Sequence, residues 1–140
     1  MLLLVCLAAC GAPAQPAATT PAAPATKPAE KFEMKSYIFV VLRRGPAWTP
    51  EQTPETKKLG EGHMANIIAM AKAKKLLIAG PMDAPEADRE AIAGIFIFDN
   101  VDKAEVEQLL TGDPAITAKR LVPEIMTWYG PAGLTYPGKE

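Results

Sequence analysis

The segment Ser36 to Arg43, SYIFVVLR, limits the fold more than any other stretch of the chain. Its aromatic, β-branched and aliphatic residues run without polar alternation, the pattern of a strand covered on both faces. A strand predicted at about Ile92 to Phe98 repeats it in GIFIF. Any architecture for this chain therefore needs apolar cover on two sides of a sheet.

The elements between and after these strands supply only part of that cover. GPAWTPEQTPE carries a glycine and three prolines and reads as a loop. A helix follows over about Glu55 to Lys74, with Thr53 as N-cap and Pro54 at its first position. Gly60 and Gly62 weaken its first half by up to about 1 kcal/mol each, and they let backbone or ligand approach closely. Lys75 to Ala79 is a short second strand stopped by Gly80-Pro81, and MDAPEADREA is a solvated acidic loop. A second helix spans about Asp102 to Leu110, with Val106, Leu109 and Leu110 inward at helical spacing. TGDPA breaks it into another turn, and Leu121 to Tyr129 is the last strand, which Pro123 assigns to an edge or bulge. The order is β-α-β-β-α-β, so the expected fold is α+β, ferredoxin-like, with an antiparallel four-stranded sheet. Two helices cover one face of such a sheet. A second copy of the chain is the economical cover for the other, and a homodimer is expected.

Ahead of this body the chain changes character. MLLLVCLAAC is an apolar run ending in small residues and a cysteine. It has export-signal chemistry and is far shorter than the ~20 residues of a membrane-spanning helix. Leu7-Ala8-Ala9-Cys10 resembles the lipobox of bacterial lipoproteins, although no Lys or Arg precedes the run. The resemblance implies cleavage after residue 9 and lipid on Cys10. The stretch that follows is rich in alanine, proline and threonine and has nothing to bury. It reads as a tether, and at about 3.1 Å per residue it would reach roughly 60 Å from a bilayer. The expected organisation is a signal peptide over 1–9, a lipidated N-terminus and tether over 10–31, and a folded domain over 32–140. The location this implies is the bacterial cell envelope, at the outer membrane where the host has one, since Gly11 follows the cysteine in place of aspartate.

Composition narrows the chemistry. With Cys6 lost in the signal and Cys10 lipidated, no thiol remains for a disulfide or a nucleophile. Ser36, the only serine, opens a strand, a poor place for an activated hydroxyl. One histidine and no free cysteine argue against zinc or copper sites, and no metal or cofactor is expected. A net charge of -1 without a basic stripe gives no footprint for nucleic acid.

That histidine, His63, lies four residues after Leu59 and four before Ile67 on the apolar row of the first helix. Position alone fits a core residue or a base. The segments EGHMANIIAMAKAKKLLIAGPM, GIFIFD and GDPAITAKRLVPEIMTWYG together resemble the YCII-related domain family of the dimeric α+β barrel superfamily, over roughly Ser36 to Gly130. The resemblance implies a dimer of ferredoxin-like units with a pocket between helix and sheet, and a His63–Asp113 pair within it. It also implies cofactor-independent lyase or isomerase chemistry on a small cyclic or carbonyl-containing molecule. In that reading His63 moves a proton and Asp113 fixes its tautomer. Asp113 before Pro114 is equally a helix N-cap. Members often carry a basic residue and a proline just before the histidine, where this chain has Gly60-Glu61-Gly62. Gly80, Pro81, Arg43 and Trp128 are the further candidates for contacting a small-molecule ligand. A lipid-anchored binding module and a structural envelope dimer without catalysis are the alternatives, because fold alone does not choose among them.

Overall fold

The computed structural model describes residues 33–88 and 90–134. The expected signal, Cys10 and the tether lie outside the described residues. The apolar segment expected as the first strand forms β1, Met34–Arg44, and pairs on both sides. The other strands are β2, Leu76–Pro81, β3, Ile92–Phe98, and β4, Leu121–Pro131. All pairings are antiparallel and the sheet order is β2-β3-β1-β4. β4 is thus an edge strand, where Pro123, opposite Leu42, needs no second ladder partner.

Three helices connect the strands. α1, Pro54–Lys72, starts at Thr53, whose hydroxyl accepts from the Thr56 amide while the Thr56 hydroxyl accepts from the Thr53 amide, a reciprocal cap. α2, Lys103–Thr111, is capped by Asp102. The Asp-Pro turn becomes a one-turn helix, α3, Pro114–Thr117, capped by Asp113. Lys74 and Lys119, both in the left-handed region, close α1 and α3 and return the chain to the sheet.

Alternation along each strand separates two faces. Ile38, Val40 and Leu42 of β1 join Phe96 and Phe98 of β3, Met70 of α1, and Val106 and Leu110 of α2 in one core on the helix side. Tyr37, Phe39 and Val41 point the other way, with Ile95 and Ile97 of β3 and Val122, Met126 and Trp128 of β4 beside them in register. Trp128 lies against Tyr37 and Phe39 at centroid distances of 5.7 and 6.4 Å. A side chain at Gly130 would strike the Trp128 ring at 2.3 Å, so that glycine lets the indole lie flat along its own strand. No helix among the described residues covers this second face, on which Tyr37, Val41 and Ile97 are buried while Val122 and Met126 are each 41% exposed.

Candidate functional site

His63 sits one helical turn beyond Leu59 on α1, and its environment depends on how closely α3 approaches. A Cβ at Gly62 would lie 2.5 Å from Pro114 Cγ, so only glycine there lets α3 seat against α1 at this distance. That contact brings Asp113 beneath the histidine. His63 Nδ1 is 2.7 Å from Asp113 Oδ2, and Asn66 Nδ2 donates to the same oxygen at 3.3 Å. The other oxygen, Oδ1, accepts from the Ala115 and Ile116 amides at 2.9 and 3.3 Å, the N-cap interaction expected of an Asp-Pro pair. Asp113 therefore caps α3 and hydrogen-bonds His63 at once.

The carboxylate is fully buried, yet each of its oxygens is satisfied. Burial pushes its pKa up. The hydrogen bond from His63, the attraction of that ring when protonated, and the hydrogen bonds from Asn66 and the Ala115 amide act against burial and outweigh it. The net result is a carboxyl held below its usual value. Asp113 is thus an ionised acceptor that fixes His63 with Nδ1 as donor and leaves Nε2 as the basic nitrogen. Nε2 has no hydrogen-bond partner among the described residues. The ring stacks on Phe96 at 6.0 Å and 24°, which sets its second coordinate.

His63 lines a cavity of about 360 Å³ between α1 and the sheet. Leu42, Ile67, Leu76 and Phe96 form its depth, and among the described residues the imidazole is the only polar side chain in the wall. Gly80 and Pro81, at the end of β2, line the same cavity. Gly94 opposite them has a spatial requirement, because a Cβ there would meet the Gly80 carbonyl at 2.7 Å. Met64 and Ile68 of α1 belong to the same wall while remaining about half exposed, so the cavity opens through an apolar mouth.

Two expected ligand contacts are not brought to this cavity. Arg43 and Trp128 lie on the opposite face of the sheet, where Arg43 Nε donates to Glu124 Oε1 at 2.6 Å and Trp128 packs on Tyr37. The bulge at Leu42/Arg43 shifts the register with β3 at the strand end but leaves the guanidinium outside the helix layer. The neighbouring Arg44 binds the carbonyls of Ala84, Pro85 and Asp88 and stacks over Trp48 at 3.9 Å, which ties the acidic loop to β1. Among the described residues no three His, Cys, Asp or Glu side chains are grouped to hold a metal ion. Asn66 was missed in the sequence, although its place one turn after His63 on the same helix face is the signal that could have found it.

The fold and this site define a small α+β protein with a histidine-aspartate pair in the wall of an apolar cavity. The chain belongs to the YCII-related domain family, which matches residues 40–128. Among solved structures it is similar to 5-chloro-2-hydroxyhydroquinone dehydrochlorinase from Burkholderia phenoliruptrix AC1100, in complex with 2,5-dihydroxybenzoquinone. The identity is 16% and the TM-score 0.43, covering 65% of this chain and 90% of that one. No curated protein matches the chain.

Proposed function

We propose that this protein is a cofactor-independent enzyme that moves a proton on a small cyclic or carbonyl-containing molecule, as a lyase or isomerase. The observation that carries this reading is the His63–Asp113 contact of 2.7 Å, with Nε2 unpartnered among the described residues, in the wall of a cavity that is otherwise apolar. A substrate ring fits among Leu42, Ile67 and Phe96. Nε2 removes a proton from carbon next to an electron-withdrawing group, and the ionised Asp113 stabilises the imidazolium that forms. The same proton then returns at another atom, completing an isomerisation, or a leaving group departs with the electron pair, completing an elimination. Apolar walls exclude water and strengthen the charge interactions of both steps. Asn66 keeps Oδ2 in place as the charge changes.

Exchange in deuterium oxide tests this on a range of candidate substrates at once. A panel of small cyclic ketones and lactones is incubated with the protein, and deuterium uptake at carbon is followed by NMR. Wild type should accelerate exchange of at least one compound. His63→Gln should slow it about 100-fold or more, the ordinary contribution of a general base. Equal exchange by both proteins would sink the reading. Saturable binding without exchange would make the chain a binding module.

The working unit in this proposal is a homodimer held at the bacterial envelope through lipid on Cys10. The partly exposed Val122 and Met126 on the helix-free face of the sheet support the first part. The Leu-Ala-Ala-Cys run followed by an Ala/Pro-rich stretch supports the second. Fatty-acid labelling should mark wild type and not Cys10→Ala; equal labelling would place the lipid elsewhere.

A further inference from the structure

His63 and Leu121 belong to two cavity walls. The second cavity, about 350 Å³, lies on the other side of them, toward the β1–α1 loop and the first turns of α1. Its character is opposite to that of the first. Trp48, Gln52, Thr56, Lys57 and Arg120 are in its wall, and among the described residues no carboxylate is. The wall thus carries two cations and no acid of its own, the Asp113 carboxylate lying behind His63 and Ala115.

Arg120 is the informative member. It begins β4's approach to the sheet, and its Nη1 donates to the Ala47 carbonyl at 3.4 Å and the Thr49 hydroxyl at 3.3 Å. Its Nη2 donates to the Thr49 carbonyl at 2.9 Å. All three acceptors are neutral. Among the described residues Arg120 makes no ion pair, whereas Arg43, Lys35 and Lys75 each have a carboxylate. A guanidinium has five N–H donors, so these bonds fix its plane and leave Nε–H and one Nη2 hydrogen for another acceptor. A planar fork held in this way suits a carboxylate, which it binds through two parallel hydrogen bonds. Arg44 stacked over Trp48 holds the indole beside it, and Lys57 on the first turns of α1 adds a second positive charge.

We infer that the second cavity is a carboxylate subsite, so that the ligand of this protein is a small amphipathic acid whose apolar ring occupies the first cavity and whose carboxylate meets Arg120, with His63 between them. The inference rests on the proposed reading of the His63 site and names the substrate class for it. Arg43, one of the ligand-contact candidates in the sequence, is paired with Glu124 on the other face of the sheet. The fold instead delivers a different arginine, because the turn after α3 returns the chain at Arg120 beside the loop that leads into α1.

The test compares acids with their neutral counterparts on the intact protein. Benzoate, phenylacetate, cinnamate and cyclohexanecarboxylate are each titrated against the corresponding primary amide, by calorimetry at fixed ionic strength. At least one acid should bind about tenfold or more tightly than its amide. Arg120→Gln should erase that preference by weakening the acid and leaving the amide unchanged. Because Arg120 also anchors the 47–49 loop, Lys57→Gln is measured beside it, on an exposed helix turn. That variant should weaken the acid about two- to fivefold without touching the amide. No acid outbinding its amide, or a preference that survives in both variants, would overturn the subsite. The outcomes separate the two proposals: acid preference without deuterium exchange removes the enzyme and keeps the subsite, and exchange on neutral ketones without acid preference does the reverse.

Discussion

Gly62→Ala is the change that most directly tests how the site is built. The new methyl group would lie 2.5 Å from Pro114 Cγ, 3.5 Å from its Cβ and 3.6 Å from its Cδ. Carbon atoms rest about 3.5–4.0 Å apart, so the proline ring must retreat by about 1 Å. Pro114 is the first residue of α3 and Asp113 its cap, so the retreat carries the carboxylate with it. A His63–Asp113 distance of 2.7 Å would lengthen toward about 3.7 Å, beyond hydrogen-bond range. The helix itself gains about 1 kcal/mol from alanine. Against this stand about 1–3 kcal/mol for overpacking and part of the about 1.5–3 kcal/mol carried by a hydrogen bond to a charged group. The expected net loss is about 1–3 kcal/mol. Gly60→Ala is the matched control, since a Cβ at Gly60 meets nothing within 4 Å. It should stabilise by about 0.5–1 kcal/mol. Urea unfolding of both variants at one protein concentration, followed by tryptophan fluorescence, reads the difference provided the m values agree. A Gly62→Ala midpoint at or above that of Gly60→Ala would refute the claim that this glycine sets the distance between α1 and α3.

The remaining expectations concern charge. Asp113→Asn should cost about 1.5–3 kcal/mol at neutral pH, measured by urea unfolding, because the ionised acceptor of His63 is lost. The native Asp113 pKa is lowered, so its contribution is complete above the unfolded aspartate value of about 3.9 and disappears as pH falls through the lowered native value. The stability gap between wild type and Asp113→Asn should accordingly narrow in acid, and a constant gap would contradict the assignment. Met126→Glu places a charge at an exposed position of the helix-free sheet face; light scattering should show it halving the mass of a wild-type dimer, with circular dichroism unchanged. Arg43→Ala should leave the urea unfolding midpoint close to that of wild type, since its pair with Glu124 is about two-fifths exposed on each side and screened by solvent; a large drop would contradict this.

The elements were legible because their signals are local. The unbroken apolar run of β1, Thr53-Pro54 at the start of α1 and the Asp-Pro before the last strand each act within a few residues, and the structure has all three in place. The face on which a side chain lands was not legible in β1 and β4. With both faces apolar, period-two alternation is invisible, so Val40 could not be told from Val41, nor Arg43 assigned to the side away from the cavity. Only pairing with β3 and the helix layer separates them. Asn66 and Arg120 were missed for another reason. Each acquires its meaning from a partner about 50 to 70 residues away, Asp113 for one and Ala47 and Thr49 for the other. Gly62 reads as a weak point that also leaves room for a close approach, and only the fold shows that Pro114 is what approaches.

Asp113 divides its two oxygens between two neighbours. One terminates the amides of α3, and the other holds His63. The first role exists in any chain that makes the same turn, whatever its cavity contains. An aspartate-proline pair at this place is therefore a signature of the turn, and by itself says nothing of what the cavity beside it does. Under the proposed function, a relative that kept Asp-Pro and replaced the histidine would retain the architecture without the proposed base, so proton exchange should be lost wherever that one position changes.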